Sequence, residues 1–430
     1  MKSLINLFSL LVVTLFATIL SAQIQYTKAY DQTGINVFEP TKVDATMYEG
    51  FKINIGGSFR QGYQMLNHEN IDTSKAKINK LYALGNGFTL AAANLNFDVQ
   101  LGDGIRIFLE NYMASRHHNE FWVKGGYIQI DKLPMFNNPE WFTKYVRVKI
   151  GHMEVNYGDT HFRRMDNGNA IFNPFAGNNI MDEFATEIGG EVYIYPTEGL
   201  MLMAGLTNGL IKNNVQDYSA ATSGVTSKNP SILLKGAYDK NVNEDLRFRL
   251  SASLYSNSSS PGLTLFGGDR TGSAYEGVLE KAASTNSTAE AFSGRFNPGM
   301  RNSLTAIIVN PFVKYQGLEF FGTYETASGK NATETDNRTT SQIAGELVYR
   351  FLANEQLFVG AKYNKVTSRL QGYTTDVDVT RTSFAAGWFP TKNLLLKGEV
   401  VNQKYDGFKG NDIRNGGKFN GLVIQAVVGF

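Results

Sequence analysis

Two sets of side chains in this sequence stand at spacings that could support chemistry: five histidines, and several arginine and lysine pairs. The histidines are His68, His117, His118, His152 and His161. In His117-His118-Asn119-Glu120 two imidazoles and a carboxylate stand together, and these residue types ligate divalent metals. Adjacent residues of a strand point to opposite faces, so the two rings cannot grip one ion there, and no metal site is expected. Neither a Gly-x-Ser-x-Gly elbow nor a His-Glu-x-x-His pattern occurs. Gly102-Asp103-Gly104 and Gly189-Gly190 precede no helix that would cradle a phosphate. No enzyme activity and no cofactor are expected. The basic residues read differently. Arg147 with Lys149, and Arg247 with Arg249, recur two residues apart, a spacing that puts both cations on one face of a strand. Rings of such cations favour anions where they line a pore.

Composition narrows the classes further. The chain has 430 residues, with 41 Lys plus Arg against 39 Asp plus Glu, so its formal charge of +2 gives no footprint for nucleic acid. It has no cysteine, which excludes a disulfide framework, a thiolate zinc site and an iron–sulfur cluster. With 43 glycines and 12% aromatic residues, it reads as β structure with many turns rather than as a disordered chain.

The elements that must position the cations are long alternating strands. In 422–430 one face carries Leu422, Ile424, Ala426, Val428 and Phe430, and the other carries Gln425 and Gly429. In 52–65 Ile53, Ile55, Gly57, Phe59 and Tyr63 oppose Lys52, Asn54, Ser58, Arg60 and Gln64. Strands in soluble domains run to about 5–6 residues, whereas a tilted membrane-crossing strand needs about 9–11. Sixteen such segments are expected, at 51–66, 88–101, 104–116, 120–131, 144–157, 186–196, 199–208, 231–239, 244–257, 303–315, 317–328, 340–351, 356–367, 381–390, 393–405 and 418–430. An even number closes a barrel. Tight turns such as 102–103, 197–198, 316–317 and 391–392 alternate with long polar connections, among them 67–87, 158–185, 209–230 and 258–302. The fold class is therefore all-β: a transmembrane antiparallel β-barrel with short periplasmic turns and long extracellular loops. The connection at 132–143 is long for a periplasmic turn, and 117–119 is short for an outer loop.

A cation facing lipid at the midplane costs about 2–4 kcal/mol, so the charged face points inward. That places fourteen basic residues in the lumen (Lys52, Arg60, Arg106, Arg116, Lys124, Arg147, Lys149, Lys235, Arg247, Arg249, Lys314, Arg350, Lys362 and Lys397). Seven acidic residues accompany them (Asp98, Glu110, Glu191, Glu319, Glu325, Glu346 and Glu399). Tyr193, Tyr195, Tyr238, Tyr349, Tyr363, Trp388, Phe389 and Phe430 lie near strand ends, where aromatic girdles sit. Before the barrel, Lys2, the apolar run Leu4 to Leu20 and Ser21-Ala22-Gln23 read as an export signal over 1–22. Residues 23–49 form a periplasmic or lumen-entering segment, and 50–430 the barrel.

The strand Val146-Arg147-Val148-Lys149-Ile150-Gly151-His152-Met153-Glu154-Val155-Asn156-Tyr157-Gly158, the long third outer loop after it, and the terminal Val427-Val428-Gly429-Phe430 resemble porins of the phosphate-selective O and P type. The resemblance implies a sixteen-stranded, often trimeric pore of the cell outer membrane. Its constriction would be loop 158–185, which carries Arg163 and Arg164, and Phe430 would be the signal read by the barrel-assembly machinery. The pore-lining or constriction residues are then Arg60, Arg106, Arg147, Lys149, Arg163, Arg164, Arg247 and Arg249. Together these readings give a channel for passive diffusion of small hydrophilic solutes with a modest anion preference. The alternative is a non-conducting barrel subunit of an outer-membrane secretion, assembly or nutrient-uptake complex. Expected partners are outer-membrane lipid, the assembly machinery, and a homotrimer or larger outer-membrane complex, with no nucleic acid.

Overall fold

The computed structural model describes residues 28–42, 48–72, 79–113, 122–163, 169–209, 228–268, 274–282 and 294–430. The export signal, Arg116, His117, His118 and Arg164, and the connection at 117–119, lie outside them. Among the described residues the strands are β1 (Lys52–Glu69), β2 (Gly87–Phe88), β3 (Ala92–Gly102), β4 (Ile105–Met113), β5 (Trp122–Ile130), β6 (Val146–Glu154), β7 (Thr186–Thr197), β8 (Leu200–Thr207), β9 (Ser231–Asn241), β10 (Leu246–Asn257), β11 (Ser303–Tyr315), β12 (Leu318–Lys330), β13 (Arg338–Phe351), β14 (Leu357–Ser368), β15 (Val377–Thr391), β16 (Leu394–Asp406) and β17 (Lys418–Gly429). Apart from the two-residue β2, these are the sixteen long strands of a closed antiparallel barrel. Each pairs with its neighbours in sequence, and β1 closes the ring on β17 from Ser58↔Gly429 to Glu69↔Lys418. No described helix is long and apolar enough to cross a membrane.

The period of two makes the barrel a container. On β1 Ile53, Ile55 and Phe59 face outward while Asn54, Ser58, Arg60 and Gln64 are buried inside. On β10 Leu250 faces out, and Arg249, Ser251, Ser253 and Tyr255 face in. Backbone hydrogen bonds closed into a ring leave no strand edge to lipid, and the apolar belt matches hydrocarbon. This is the architecture of the cell outer membrane. Pro311 interrupts β11, since it has no N–H for the ladder. The neighbouring Asn310 repairs the gap by donating from Nδ2 to the Gly322 carbonyl at 3.0 Å.

Three sequence expectations are corrected. Tyr193, Tyr195 and Phe389 are not girdle residues: they share the inward parity, and Tyr193 and Phe389 are only 1% exposed, whereas Tyr238, Tyr349, Tyr363, Trp388 and Phe430 do face outward. Connection 132–143 is not a plain turn, because Pro139 opens the short helix α1 (Glu140–Tyr145) on the short-turn rim. Strand β6 therefore begins at Val146 rather than at 144.

Candidate functional site in the barrel lumen

Two aperiodic stretches of chain cross the lumen, and inward strand residues hold both. The first is a strap, 28–42, lying across the short-turn end. Backbone of Gln32 donates to the Lys392 carbonyl at 2.8 Å, and its side chain to the Asn354 carbonyl at 2.7 Å. Asn36 donates to Glu319 at 2.7 Å. Arg147 donates to the Pro40 carbonyl at 2.6 Å, and Lys42 to the Asp131 carbonyl at 2.7 Å. The strap lies so close to the last strand that a Cβ on Gly429 would collide with the Tyr30 carbonyl.

The second stretch is the described part of loop 158–185, residues 158–163 and 169–185, held across the middle of the barrel. At one end Gly158 N–H donates to Ser253 Oγ at 3.0 Å and Asp159 N–H to Asn310 Oδ1 at 2.9 Å. At the far wall Lys397 directs its ammonium at three loop carbonyls, Ala170 at 2.8 Å, Asn173 at 2.7 Å and Phe175 at 2.9 Å. Glu399, two residues on and on the same face, accepts from the backbone N–H of Ala176 and of Gly177, at 2.5 and 3.1 Å. Gln342 clasps Met181 at both its N–H and its carbonyl, and Asn364 accepts from Ile180 N–H at 2.6 Å. Phe172, Phe175, Ile180 and Met181 are buried as a result. The described residues of outer loop 258–302, namely 258–268, 274–282 and 294–302, pack on top. Phe184 N–H donates to the Leu265 carbonyl at 2.7 Å, Tyr275 Oη to Glu399 at 2.6 Å, and Arg295 pairs with Asp182.

The expected pore-lining residues divide on inspection. Arg60, Arg106, Arg147 and Arg249 are buried inside the barrel, and Lys149 and Arg247 are partly so. Arg106 pairs with Asp98, Arg147 with Asp131 at 2.8 Å, and Arg247 with Asp239 through two bonds of 2.8 and 2.7 Å. Lys149 lies over the rings of Tyr127 and Tyr193 at 4.9 and 5.1 Å. Arg163, on the loop, stacks on Phe321 at 4.6 Å and reaches Glu346 at 3.2 Å. A gap of about 20 Å³, room for about one water, remains between loop and wall here, with Arg163, Lys362, Glu346, Asp182, Glu183 and Phe321 among its lining. Phe430 closes the seam instead of lining anything: it exchanges backbone bonds of 2.9 and 3.1 Å with Gly57 and turns its ring outward.

Several residues of the lumen were missed from sequence. Arg381, fully buried on β15, donates to the Asn178 carbonyl at 2.5 Å and to Gln403 at 2.6 Å. Glu187 accepts from Tyr255 Oη at 2.7 Å. Both have inward parity that the sequence displays. Glu39 and Asp159 sit on aperiodic chain and display none. They meet Lys235 and Arg249: Glu39 lies 2.7 Å from each, and Asp159 2.9 and 2.8 Å. Burial pushes the Glu39 carboxyl up, but Arg249 and Lys235 together outweigh it and hold the group well below the usual range. His161 is held well below its usual value, first by burial and then by Lys235, and so stays neutral beside Asn156. Burial raises Glu183, with Asp182 adding to the effect, while hydrogen bonds from Glu325 and Thr160 oppose it. No group of metal-ligating side chains occurs among the described residues.

No protein-family model matches the chain, and no curated protein does. Solved structures do. The chain is similar to an anion-selective porin from Comamonas acidovorans, with 12% identity and a TM-score of 0.53 over 89% of this chain and 100% of that one. It is equally similar to the outer membrane channel DcaP of Acinetobacter baumannii, with 13% identity and a TM-score of 0.53 over 90% and 99%. OmpT, an outer membrane protein of Vibrio cholerae, follows with 9% identity and a TM-score of 0.50 over 90% and 99%. The chain has the fold of the outer-membrane porins. At these identities the likeness speaks to fold alone, and what this barrel does has to be argued from its own lumen.

Proposed function

We propose that the chain is a narrow outer-membrane channel for small hydrophilic solutes, with strap 28–42 and loop 158–185 as its two constrictions. One observation carries this reading. Charged side chains Arg163, Lys362 and Glu346 line a gap of about 20 Å³ between loop and wall, room for about one water, beside a loop that is tied to the wall by polar bonds and also packs Phe172, Phe175, Ile180 and Met181 into an apolar core. Modest anion preference belongs to the same reading, with Arg163 and Lys362 as its source, and Glu346, 3.2 and 3.0 Å from them, as the reason it stays modest. Phosphate as the particular solute gains no support, because most luminal cations already have acidic partners. A relation to the phosphate-selective O and P type rests on the segments quoted above. Homotrimers are part of the proposal: an outward apolar groove of about 560 Å³, lined by Val192, Ile194, Leu202, Leu234 and Ile307, supplies a face for a neighbouring copy. Recognition of Phe430 by the assembly machinery is also proposed.

Single-channel conductance of purified protein in a planar bilayer tests the channel. Discrete steps are expected, and their absence overturns it. The filled lumen favours one second reading, a non-conducting barrel that serves as a subunit of an outer-membrane complex, and a silent bilayer would promote it.

A further inference from the structure

Lys235 and Arg249 form a buried cationic pair in the lumen, and the residue between them comes from the chain's own strap. Glu39 accepts from both at 2.7 Å and from Asn156 Nδ2 at 3.0 Å. Its neighbour Phe38 enters an aromatic slot. The Phe38 ring meets Phe162 edge-on, with centroids 5.7 Å apart, and Phe312 at 5.6 Å, and the Arg249 guanidinium lies 4.2 Å above it. Asp159 faces the same two cations, and Asp239 reaches Arg249 at 3.5 Å. The pocket thus holds an aromatic ring next to a carboxylate, presented by a segment tied to the wall through a few hydrogen bonds.

We propose that Lys235, Arg249, Asn156 and the Phe162–Phe312 slot form a binding site for small carboxylates bearing an aromatic or apolar group, and that Glu39 and Phe38 occupy it as an internal stand-in. The inference rests on the channel reading for its consequence, that a carboxylate solute displaces the strap from the periplasmic end. The physical argument is one of charge. With Glu39 withdrawn, two buried cations face Asp159 and the more distant Asp239, and an under-compensated buried cation is costly. A second carboxylate restores the balance. Neutral solutes of the same shape do not.

The test uses the full mature chain refolded in detergent, with each variant first shown to be a barrel by heat-modifiable migration. Binding of N-acetyl-phenylalanyl-glutamic acid amide and of its glutamine counterpart is measured by calorimetry. In the wild type the strap competes at the high effective concentration of a tethered ligand, so binding is weak. Glu39→Ala frees the Lys235–Arg249 pair and weakens the strap's hold on the slot, and the glutamate probe is expected to bind at least about tenfold tighter than to the wild type, a shift of about 1.4 kcal/mol. The glutamine probe should gain little. Should Glu39→Ala not fold, Phe38→Ala empties the aromatic slot and loosens the same strap while Glu39 still competes for the cations, so a gain in the same direction but smaller is expected, again larger for the glutamate probe. Equal binding in wild type and variant, or equal gain for both probes, overturns the site. The channel reading is judged separately. Tighter binding by a barrel that never conducts keeps the site and removes the channel, and a conducting barrel with unchanged binding does the reverse.

Discussion

Lys397 is the tightest single point at which the wall holds loop 158–185. All three of its donors are spent on loop carbonyls at 2.7–2.9 Å, and the side chain is 3% exposed. Lys397→Met keeps the length of the side chain and removes every donor. Hydrogen bonds to a charged group contribute about 1.5–3 kcal/mol each, and they do not add in full, because the ammonium also had to be desolvated. A net loss of about 3 kcal/mol for the pinned conformation of 170–175 is a reasonable working value, which raises the ratio of released to pinned loop by roughly two powers of ten. Release stays local, since Glu399, Asn364 and Gln342 still hold 176–181. Hydrogen exchange read by mass spectrometry measures this whether or not the barrel conducts. Amides of 170–175 should exchange about a hundredfold faster, and those of 176–181 and of β16 unchanged. In a bilayer the same variant should show larger, noisier steps. Unaltered exchange over 170–175 in a folded variant would refute the idea that Lys397 pins the loop.

Four further outcomes are expected. Unheated protein should migrate faster than boiled protein in detergent gels, because the paired ring offers no frayed edge; equal mobility with a helical far-ultraviolet spectrum would contradict the barrel. Deleting Phe430 removes two backbone bonds to Gly57 at the seam and the outward terminal aromatic, so folded protein in the outer membrane should drop sharply. Arg163→Ala should shift the reversal potential in a salt gradient toward cations and Glu346→Gln toward anions, while Arg106→Ala and Arg147→Ala, which strip Asp98 and Asp131 of their main partners, should cost folded yield rather than selectivity. Acid should act oppositely on the two crossings. Glu39 titrates below its ordinary 4.5 when docked, so its contribution is present above that pH and lost as pH falls, whereas docked Glu183 titrates above 4.5, so its contribution is present in acid and lost as pH rises through the raised value. Exchange at pH 4 against pH 7, corrected for intrinsic rates, should show strap 31–39 loosened and 180–184 tightened.

The strands were legible because lipid enforces a rule that sequence records directly: every second side chain must be apolar over the full span. Length and alternation located all sixteen, and errors fell where other physics took over. The segment predicted at 144–157 begins with α1 because Pro139 supplies a helix start. The one predicted at 381–390 is really Val377–Thr391, so Arg381 stood at a supposed strand end and escaped the inward set. Tyr193 and Phe389 were assigned by nearness to a strand end, although parity, the stronger constraint, turns them inward.

What alternation cannot show is which cations keep an uncompensated field. Counting inward strand residues gives fourteen basic against seven acidic, yet Glu39, Asp131, Asp159, Asp182 and Glu183 reach the lumen or its rim from strap, turn and loop, where no period marks them. The periodic part of the chain sets out a cationic wall in advance, and the aperiodic part decides how much of it a solute meets. On the proposed channel reading, charge selectivity is therefore a property of how the crossings dock rather than of wall composition. Undocking the strap exposes Lys235 and Arg249 and should move selectivity further toward anions than removing any one wall acid does, whereas an unchanged reversal potential in Glu39→Ala would return selectivity to the wall.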